Sequence, residues 1–293
     1  MKILVTGGSG FLGSHVADAL SDAVHEVTIF DIRKSQYLRP DQNMIVGDIL
    51  DQECLNNIVK DQDVVYHFAG IADVDECTRR PVDTVRYNIL GTAQLLEKCC
   101  QANTKRFVFA SSAYVYSDHG YFYRTGKRAC ESLLQDYYAI YGLKYTCLRY
   151  GSLYGERADD HNSIYKIIKQ ALSEDKITYH GTGDELREFI HVRDAAQGSV
   201  QILEPEFENQ HIIFAGTQTM RYKDLLEMVR EMLGNKISIE IVPSERDAHY
   251  KITPYNFSPK LGKKLVINPH IDMGQGLLLC MSELYERIHG ENL

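Results

Sequence analysis

Short apolar runs alternate with stretches of helical spacing through the first half of the chain. The apolar runs are rich in β-branched residues: KILVT (2–6), EVTIFD (26–31), MIVGD (44–48), DVVYHFAG (63–70) and RFVFASS (106–112). SHVADALSDA and residues 82–102 have apolar positions at helical spacing. Strands that alternate with helices at this interval predict an α/β fold, a Rossmann-type doubly wound parallel sheet that binds ligands at the carboxyl ends of its strands.

The strand–helix rhythm is lost after Gly155. HIIFAG (211–216) predicts a last strand that returns to the first sheet, whereas a helix over 221–233 and a strand over 238–242 predict a smaller unit. We therefore predict two parts, in line with the chain's length. The nucleotide-binding domain covers 1–152 with a returning segment at about 192–216, and a smaller α/β substrate-binding cap covers 153–191 and 217–293.

Composition narrows the class of protein. The 293 residues are 44% hydrophobic and carry a formal net charge of −8, which argues against nucleic acid or an anionic membrane as partner. Seven scattered cysteines without a CxxC pair predict reduced thiols in a cytoplasmic protein. Eleven histidines without HxH or HExxH spacing predict no metal site. The apolar runs are too short for a signal peptide or a membrane span.

A glycine motif lies between the first predicted strand and helix. Gly7, Gly10 and Gly13 form GxxGxxG, whose missing side chains let backbone N–H groups and the helix N-terminus approach a pyrophosphate. Asp31 ends the next strand, where a carboxylate accepts hydrogen bonds from ribose hydroxyls and repels a 2′-phosphate. NAD is therefore favoured over NADP, although Arg33 weighs the other way and a solvated turn is the alternative reading of Asp31.

Hydroxyl groups follow the fifth predicted strand. The strand ends in Ser111 and Ser112, and four tyrosines come next: Tyr114, Tyr116, Tyr121 and Tyr123. Among them, Tyr123 has a lysine, Lys127, one helical turn later. An unperturbed tyrosine titrates near pH 10, so we expect this ammonium, with the positive nicotinamide ring, to favour the phenolate and make Tyr123 a proton acceptor.

These residues resemble the extended short-chain dehydrogenase/reductase family, in its NAD-dependent nucleotide-sugar epimerase and dehydratase branch. The likeness covers nearly the whole chain: TGGSGFLG, GDILD, HFAG, YNILGT, ASSAYVY, the YxxxKxxxE spacing of Tyr123, Lys127 and Glu131, LRYGSLYG and REFIHVRDAA. The resemblance implies that Tyr123 is the base, that Lys127 also holds the nicotinamide ribose and that Ser112 binds the reacting hydroxyl. Asn88 is implied to fix the helix and water behind the site.

The motifs and the resemblance together assign residues to the cofactor and to the substrate. The predicted cofactor residues are Gly7, Gly10, Phe11, Leu12, Asp31, Ile32, Asp48, Ile49, Phe68, Ala69, Gly70, Asn88, Ser111, Tyr123, Lys127 and Tyr150. The predicted substrate residues are Ser112, Ser152, Arg187 and Arg246. Arg187 is implied to bind the diphosphate, because a guanidinium fork suits paired phosphate oxygens; a solvated surface position is the alternative for it and for Arg246.

Three features depart from the family pattern. Dehydratases follow the catalytic hydroxyl with an Asp-Glu pair, but Ala113 and Tyr114 stand here, which argues against 4,6-dehydration. The loop AYVYSDHGYF is about half the usual length, so a more open sugar pocket is expected. The usual RYFN is RYGS, with Gly151 and Ser152, which leaves the base of the nucleotide open.

The resemblance implies an enzyme that oxidises C4 of a nucleotide-activated sugar, UDP-, GDP- or dTDP-linked. Net 4-epimerisation, as in UDP-glucose 4-epimerase, and net 4-dehydrogenation, as in a small branch acting on GDP-heptose, both stay open. The rivals are a non-catalytic NAD-binding sensor and a methyltransferase, neither of which needs the tyrosine–lysine pair. The family commonly pairs helices such as 82–102 and 123–141 into a homodimer.

Overall fold

The central sheet of the computed structural model, which describes residues 1–243, 249, 251, 263–265 and 270–289, is parallel throughout. Its strands are β1 (Lys2–Thr6), β2 (Glu26–Asp31), β3 (Gln42–Val46), β4 (Val64–His67), β5 (Arg106–Ser112), β6 (Lys144–Tyr150), β10 (Gln210–Phe214) and β13 (Lys263–Lys264). They lie in the order β13-β10-β6-β5-β4-β1-β2-β3. The predicted doubly wound parallel sheet is confirmed, and HIIFAG does return to it beside β6.

Helices cover both faces of this sheet. They are α1 (Phe11–Asp22), α2 (Gln52–Ile58), α3 (Val74–Arg79), α4 (Pro81–Thr84), α5 (Gly91–Gln101), α6 (Tyr121–Tyr141) and α8 (Val192–Gln201). The helix predicted over 82–102 is interrupted by a π-helical segment, Val85–Leu90, between α4 and α5. Asn88 lies in that segment, and its backbone oxygen accepts from both Thr92 Oγ1 (2.5 Å) and Cys130 Sγ (3.0 Å).

The two faces of the sheet carry separate apolar clusters because successive side chains of a strand point to opposite faces. Ile3 and Val5 of β1 pack with α1 and α8, whereas Leu4 between them packs with α2, α5 and α6. Each face thus buries its own helices. The carboxyl ends of the strands meet at one edge, where the site residues of this half are gathered.

A second unit packs beside this edge. It contains β7 (Ser152–Tyr154), β8 (Lys176–His180), β9 (Leu186–His191), β11 (Thr219–Arg221) and β12 (Ser238–Val242), with α7 (Ser163–Glu174), α9 (Tyr222–Met232) and α10 (Met273–His289). β9 pairs with β7 in parallel and with β11 antiparallel, while β8 and β12 form a parallel pair. The three helices bury a third apolar cluster with these strands. We call this unit the cap. Among the described residues, each helix is too short or too polar to cross a bilayer.

Candidate active site

The turn after β1 is built around missing side chains. Gly7 has φ +73°, and a Cβ there would lie 2.6 Å from the backbone nitrogen of Ala69; a Cβ on Gly13 would lie 2.2 Å from the Gly7 oxygen. Phe11 then begins α1, whose first turn has neither a capping side chain nor an acidic residue. The start of α1 therefore presents uncapped backbone N–H groups at the positive end of a helix, a combination that fits a diphosphate.

Acidic residues lie at the end of β2 and two residues after the end of its neighbour β3. Asp31 accepts hydrogen bonds from the backbone of Ser9 (3.0 Å) and of Arg33 (3.2 Å), which fixes its carboxylate beside the glycine turn. Asp48 accepts from the Leu50 nitrogen (2.9 Å). The neighbours of these acids differ: Ile32 is exposed, whereas the Ile49 side chain is buried in the core. Ile49 therefore offers a ligand only its backbone.

The segment after β4, which contains Phe68, Ala69 and Gly70, is tied to the helix behind it. Asn88 Oδ1 accepts from the Ile71 nitrogen (2.7 Å), and its Nδ2 donates to the Ile71 oxygen (2.9 Å). Gly70 has φ +142°, and a Cβ there would lie 2.7 Å from Asn88 Oδ1. The Asn88 amide thus acts on the backbone of this segment, which fits the predicted role of fixing the scaffold.

Tyr123 and Lys127 lie one turn apart at the start of α6, as the spacing predicts. Lys127 Nζ is 5.6 Å from the centre of the Tyr123 ring, but it donates its hydrogen bond to the Ala110 oxygen (2.6 Å). Removal from water lowers the pKa of Lys127 and raises the pKa of Tyr123 to about 12. Burial is the largest effect on the pKa of Tyr123 in the protein alone, so the expectation that Lys127 and a nicotinamide ring together favour the phenolate stays a prediction.

The two serines at the end of β5 point to opposite sides. A hydrogen bond with the Ser112 hydroxyl lowers the pKa of Tyr123 and offsets part of the effect of burial. Ser111 instead donates to Glu131 Oε1 (2.6 Å) on the inner face of α6. The Tyr150 phenol is likewise directed inward, to Ser199 Oγ (2.8 Å). The Ser111 hydroxyl, which sequence analysis placed on the ligand rim, therefore faces α6, and the Tyr150 phenol faces α8 on the other side of the sheet. The assignment of these two residues to the cofactor stays a prediction.

A buried ion pair lies beneath α6. Glu131 Oε2 is 2.6 Å from Arg149 Nη2, and both residues are buried. Arg149 also donates to the Tyr116 hydroxyl, and its charge holds the pKa of Glu131 below its usual range against the effect of burial. The YxxxKxxxE spacing contained Glu131, but sequence analysis did not find Arg149, because β6 brings it from 18 residues away.

One group of potential metal ligands occurs among the described residues. Side-chain atoms of Glu131, Cys147 and His211 lie within 4.8 Å of one another. The Glu131 carboxylate is already paired with Arg149. Burial raises the pKa of the Cys147 thiol, which disfavours the thiolate that binds metals. The group therefore fits an internal polar network better than a cation site.

The predicted substrate residues lie in or near the cap. Ser152 begins β7, partly buried. Arg187 lies on β9, buried, with its guanidinium 5.5 Å from the centre of the Tyr222 ring and donating to the backbone oxygens of Leu186 (2.9 Å) and Lys251 (3.4 Å). A solvated surface position for Arg187 is thereby excluded. Arg246 lies outside the described residues.

Sequence analysis set Tyr114 aside, yet it lies beside the predicted base. Its ring meets the Tyr123 ring edge-on, with centres 5.7 Å apart. Its hydroxyl lies 2.7 Å from Nδ1 of His249, a residue of the cap segment. Because 135 residues separate the two partners, no local pattern could have indicated the contact.

Comparison with known proteins agrees with this geometry. The model of the NAD dependent epimerase/dehydratase family matches residues 3–216. A UDP-glucose 4-epimerase from Yersinia enterocolitica is 30% identical over 83% of this chain and 85% of its own. A UDP-N-acetyl-alpha-D-glucosaminuronate decarboxylase from Bacillus cytotoxicus is 27% identical over 94% of this chain and 95% of its own. The chain therefore belongs to the NAD-dependent epimerase/dehydratase family.

Solved structures extend the likeness to the whole fold. The UDP-glucose 4-epimerase of Thermotoga maritima, solved with UDP-glucose, has a TM-score of 0.86 and 25% identity, covering 99% of this chain and 100% of its own. The UDP-glucuronic acid 4-epimerase of Bacillus cereus, solved with UDP-glucuronic acid and NAD, has a TM-score of 0.85 and 26% identity, covering 98% of this chain and 100% of its own.

Proposed function

We propose that this member of the family oxidises C4 of a nucleotide-activated sugar, with NAD as cofactor and Tyr123 as the base. The observation that carries the proposal is the meeting of Ser112, Tyr123 and Lys127 at the carboxyl end of β5, two strands from the strand that leads into the glycine turn. Relatives solved with NAD and with UDP-sugars support the cofactor and a UDP-linked substrate.

The residues of the glycine turn fit NAD. The turn and the start of α1 would hold the pyrophosphate, and Asp31 would accept from the adenosine ribose. Lys127 would hold the nicotinamide ribose. NAD, when bound, supplies the acceptor for the hydride that leaves C4.

The chain's own residues handle the proton of the C4 hydroxyl. Ser112 orients that hydroxyl, and Tyr123 accepts its proton as the carbon is oxidised. With a pKa of about 12, the phenol alone is a poor acceptor at neutral pH. Bound NAD would supply a positive charge that favours the phenolate of Tyr123, and each pKa unit corresponds to about 1.4 kcal/mol.

The relatives favour a 4-epimerase outcome, in which hydrogen returns to the opposite face of C4. Ala113 and Tyr114 supply no carboxylate, so we do not propose 4,6-dehydration. Net 4-dehydrogenation of a GDP-linked sugar is the alternative within the same chemistry. A non-catalytic NAD-binding regulator is the alternative outside it.

The experiment is turnover of a panel of nucleotide sugars, with products resolved by NMR. We use UDP-glucose, UDP-glucuronic acid, UDP-N-acetylglucosamine, dTDP-glucose and GDP-mannose. Tyr123→Phe should lower turnover roughly 10²- to 10⁴-fold, the usual contribution of an acid–base group, while NAD binding is kept. Tyr121→Phe, two residues earlier on the same helix, is the matched control and should keep full activity. A wild-type protein that binds NAD but turns over no sugar would instead support the regulator.

We also propose a homodimer through the helices on one side of the sheet. Large apolar side chains on α4, the π-helical segment and α6 are exposed: Val82, Val85, Leu90, Tyr138, Ile140 and Tyr141. Ile140→Glu should convert the dimer to a monomer in light scattering. Leu278→Glu, an exposed apolar position on α10, should not.

A cytoplasmic location is proposed from the thiols. All seven cysteines are free, and five of them are buried without a disulfide partner. Proteins of oxidising compartments generally pair such residues. Cell fractionation with an antibody against the chain tests the location, and recovery in a membrane or secreted fraction would contradict it.

A further inference from the structure

Tyr114 is held at the catalytic edge by a glycine. The Tyr114 ring packs on Gly120, where a Cβ would lie 2.5 Å from the ring atom Cδ1. Gly120 has φ +89° and precedes the first residue of α6. The Tyr114 ring also meets the Tyr123 ring edge-on. The short loop before α6 therefore ends in a turn that packs the Tyr114 phenol against the phenol of Tyr123.

The hydroxyl of this second phenol is backed by a histidine and a carboxylate. Tyr114 Oη lies 2.7 Å from His249 Nδ1, and His249 Nε2 lies 3.7 Å from Asp75 Oδ1 at the start of α3. A carboxylate near Nε2 favours the tautomer with its proton there. Nδ1 is then left to accept the phenol proton, an arrangement in which a histidine can draw a proton from a hydroxyl.

Tyr114, His249 and Asp75 come from separate parts of the fold. Of their three side chains, that of Asp75 is the most exposed to solvent. Tyr114 is partly buried, 28% of the His249 side chain is exposed and 60% of the Asp75 side chain is exposed. On the other side of Tyr123, Lys127 donates to Ala110 and the Asn88 amide is held by Ile71. A proton taken up by Tyr114 therefore has its own connection to solvent through His249.

We propose that Tyr114 and His249 form a second acid–base pair of this site, which exchanges a hydrogen on a sugar carbon next to C4. The inference rests on the proposed function, because a ketone at C4 acidifies the C–H bonds of C3 and C5. Tyr114 is the catalytic residue of this pair, and His249 is a positioning residue that acts through it.

The step conserves atoms and charge. The C–H bond breaks, its electron pair forms an enolate toward the C4 oxygen, and the proton passes to the Tyr114 oxygen. The phenol proton of Tyr114 moves at the same time to His249 Nδ1, giving an imidazolium that faces Asp75. His249 exchanges this proton with solvent. Reversal of the step then returns a solvent proton to the carbon, and no oxidant or reductant is consumed.

The experiment separates this step from oxidation at C4. The NAD-bound protein is incubated in D₂O with UDP-4-keto-6-deoxyglucose, which already carries the ketone, and deuterium at C3 and C5 is measured by NMR. Wild type should incorporate deuterium faster than the protein-free background. Tyr114→Phe should lower that rate roughly 10²-fold, the scale of acid–base catalysis. His249→Gln, which cannot pass a proton on, should lower the rate in the same direction.

Controls keep the two proposals apart. Tyr121→Phe should incorporate deuterium at the wild-type rate, and ligand-induced fluorescence changes check that each variant still binds the keto sugar. Wild-type incorporation no faster than background, or an unchanged rate in a folded Tyr114→Phe that binds the sugar, would overturn the inference. A protein that exchanges deuterium but oxidises none of the nucleotide-sugar panel would overturn only the proposed oxidation at C4.

Discussion

The nucleotide-binding half and the cap build their shares of the site in different ways. In the first half, one parallel sheet brings strand ends together, and the predicted residues other than Asn88 lie within a few positions of a strand end or at the start of α6. In the cap, Arg187 on β9 meets the backbone of Lys251, and His249 reaches back to Tyr114. The first half works through local geometry, whereas the cap works through contacts between distant segments.

This difference indicates a division of labour. The glycine turn and Tyr123 belong to elements fixed by a buried core on both faces of the sheet. The cap contributes the proposed substrate residue Arg187 from outside that core. We therefore expect changes in the first half to affect stability and chemistry together, and changes in the cap to be milder for stability.

The largest expected effect on stability concerns the buried ion pair of Glu131 and Arg149 beneath α6. Glu131→Gln leaves the Arg149 guanidinium buried without its counter-charge, and breaking a buried pair in this way costs about 3–5 kcal/mol of unfolding free energy. Urea unfolding measures it. The cap's Glu240→Gln removes an exposed pair with Lys176 and should cause little change. Equal losses in the two variants would contradict the contrast between the regions.

The residues that could be identified from the sequence lie in the first half of the molecule. Gly7, Gly13 and Asp31 could be identified because a strand, a tight turn and a helix form a motif within about thirty residues. Tyr123 and Lys127 could be paired because both lie on one helix. Their electrostatics could not be predicted, since the direction of the Tyr123 pKa depends on burial by neighbours from other segments.

The missed residues have partners far away in sequence. Arg149 reaches Glu131 across β6 and α6, and His249 reaches Tyr114 across 135 residues. The directions of the Ser111 and Tyr150 side chains needed the register of β5 and β6, which pairs Ser111 with Arg149 and Ser112 with Tyr150 and so places the two side chains on opposite faces of the sheet. A one-residue shift in register exchanges the faces of a strand, so a strand end can be predicted more readily than the direction of its side chains.

The next expected effect is on the pH dependence of the unfolding free energy, and it concerns a histidine in the interior of the first half. His67, buried between Thr6 Oγ1 and Thr92 Oγ1, has a pKa lowered to about 3 by burial and by the charge of Lys127. A lowered pKa means that the unfolded chain takes up the proton first as pH falls. From pH 6.5 to 5 this histidine should therefore remove about 1.5 kcal/mol of unfolding free energy.

Unfolding in urea across that pH range measures the slope. His67→Gln should give a flatter pH dependence than wild type, even where its overall stability is lower, because the slope reports only proton uptake. The cap's exposed His180→Gln should keep the wild-type slope. An unaltered slope in His67→Gln would mean that this histidine is protonated equally in both states.

The smallest expected effect on stability concerns helix N-caps, and one N-cap from each region is compared. Asp51 caps α2 by accepting from the nitrogens of Glu53 and Cys54, and Asn162 caps α7 by accepting from those of Ile164 and Tyr165. Replacing either N-cap residue with alanine should lower the free energy of unfolding by about 1 kcal/mol. Asn162 also donates to the Leu153 oxygen (2.8 Å), so its loss should be the larger of the two.

The two N-cap variants also show whether the first half and the cap unfold together. If the whole chain unfolds in one cooperative transition, Asp51→Ala and Asn162→Ala both shift that single urea midpoint. If the cap opens first, Asn162→Ala shifts an early transition, followed by cap tyrosine fluorescence, while Asp51→Ala shifts only the later one. We expect the second pattern, because the cap buries its own cluster around α7, α9 and α10. A single unfolding transition that both variants shift equally would instead show that the first half and the cap are one folding unit. The two regions would then differ in their contributions to function and not in stability.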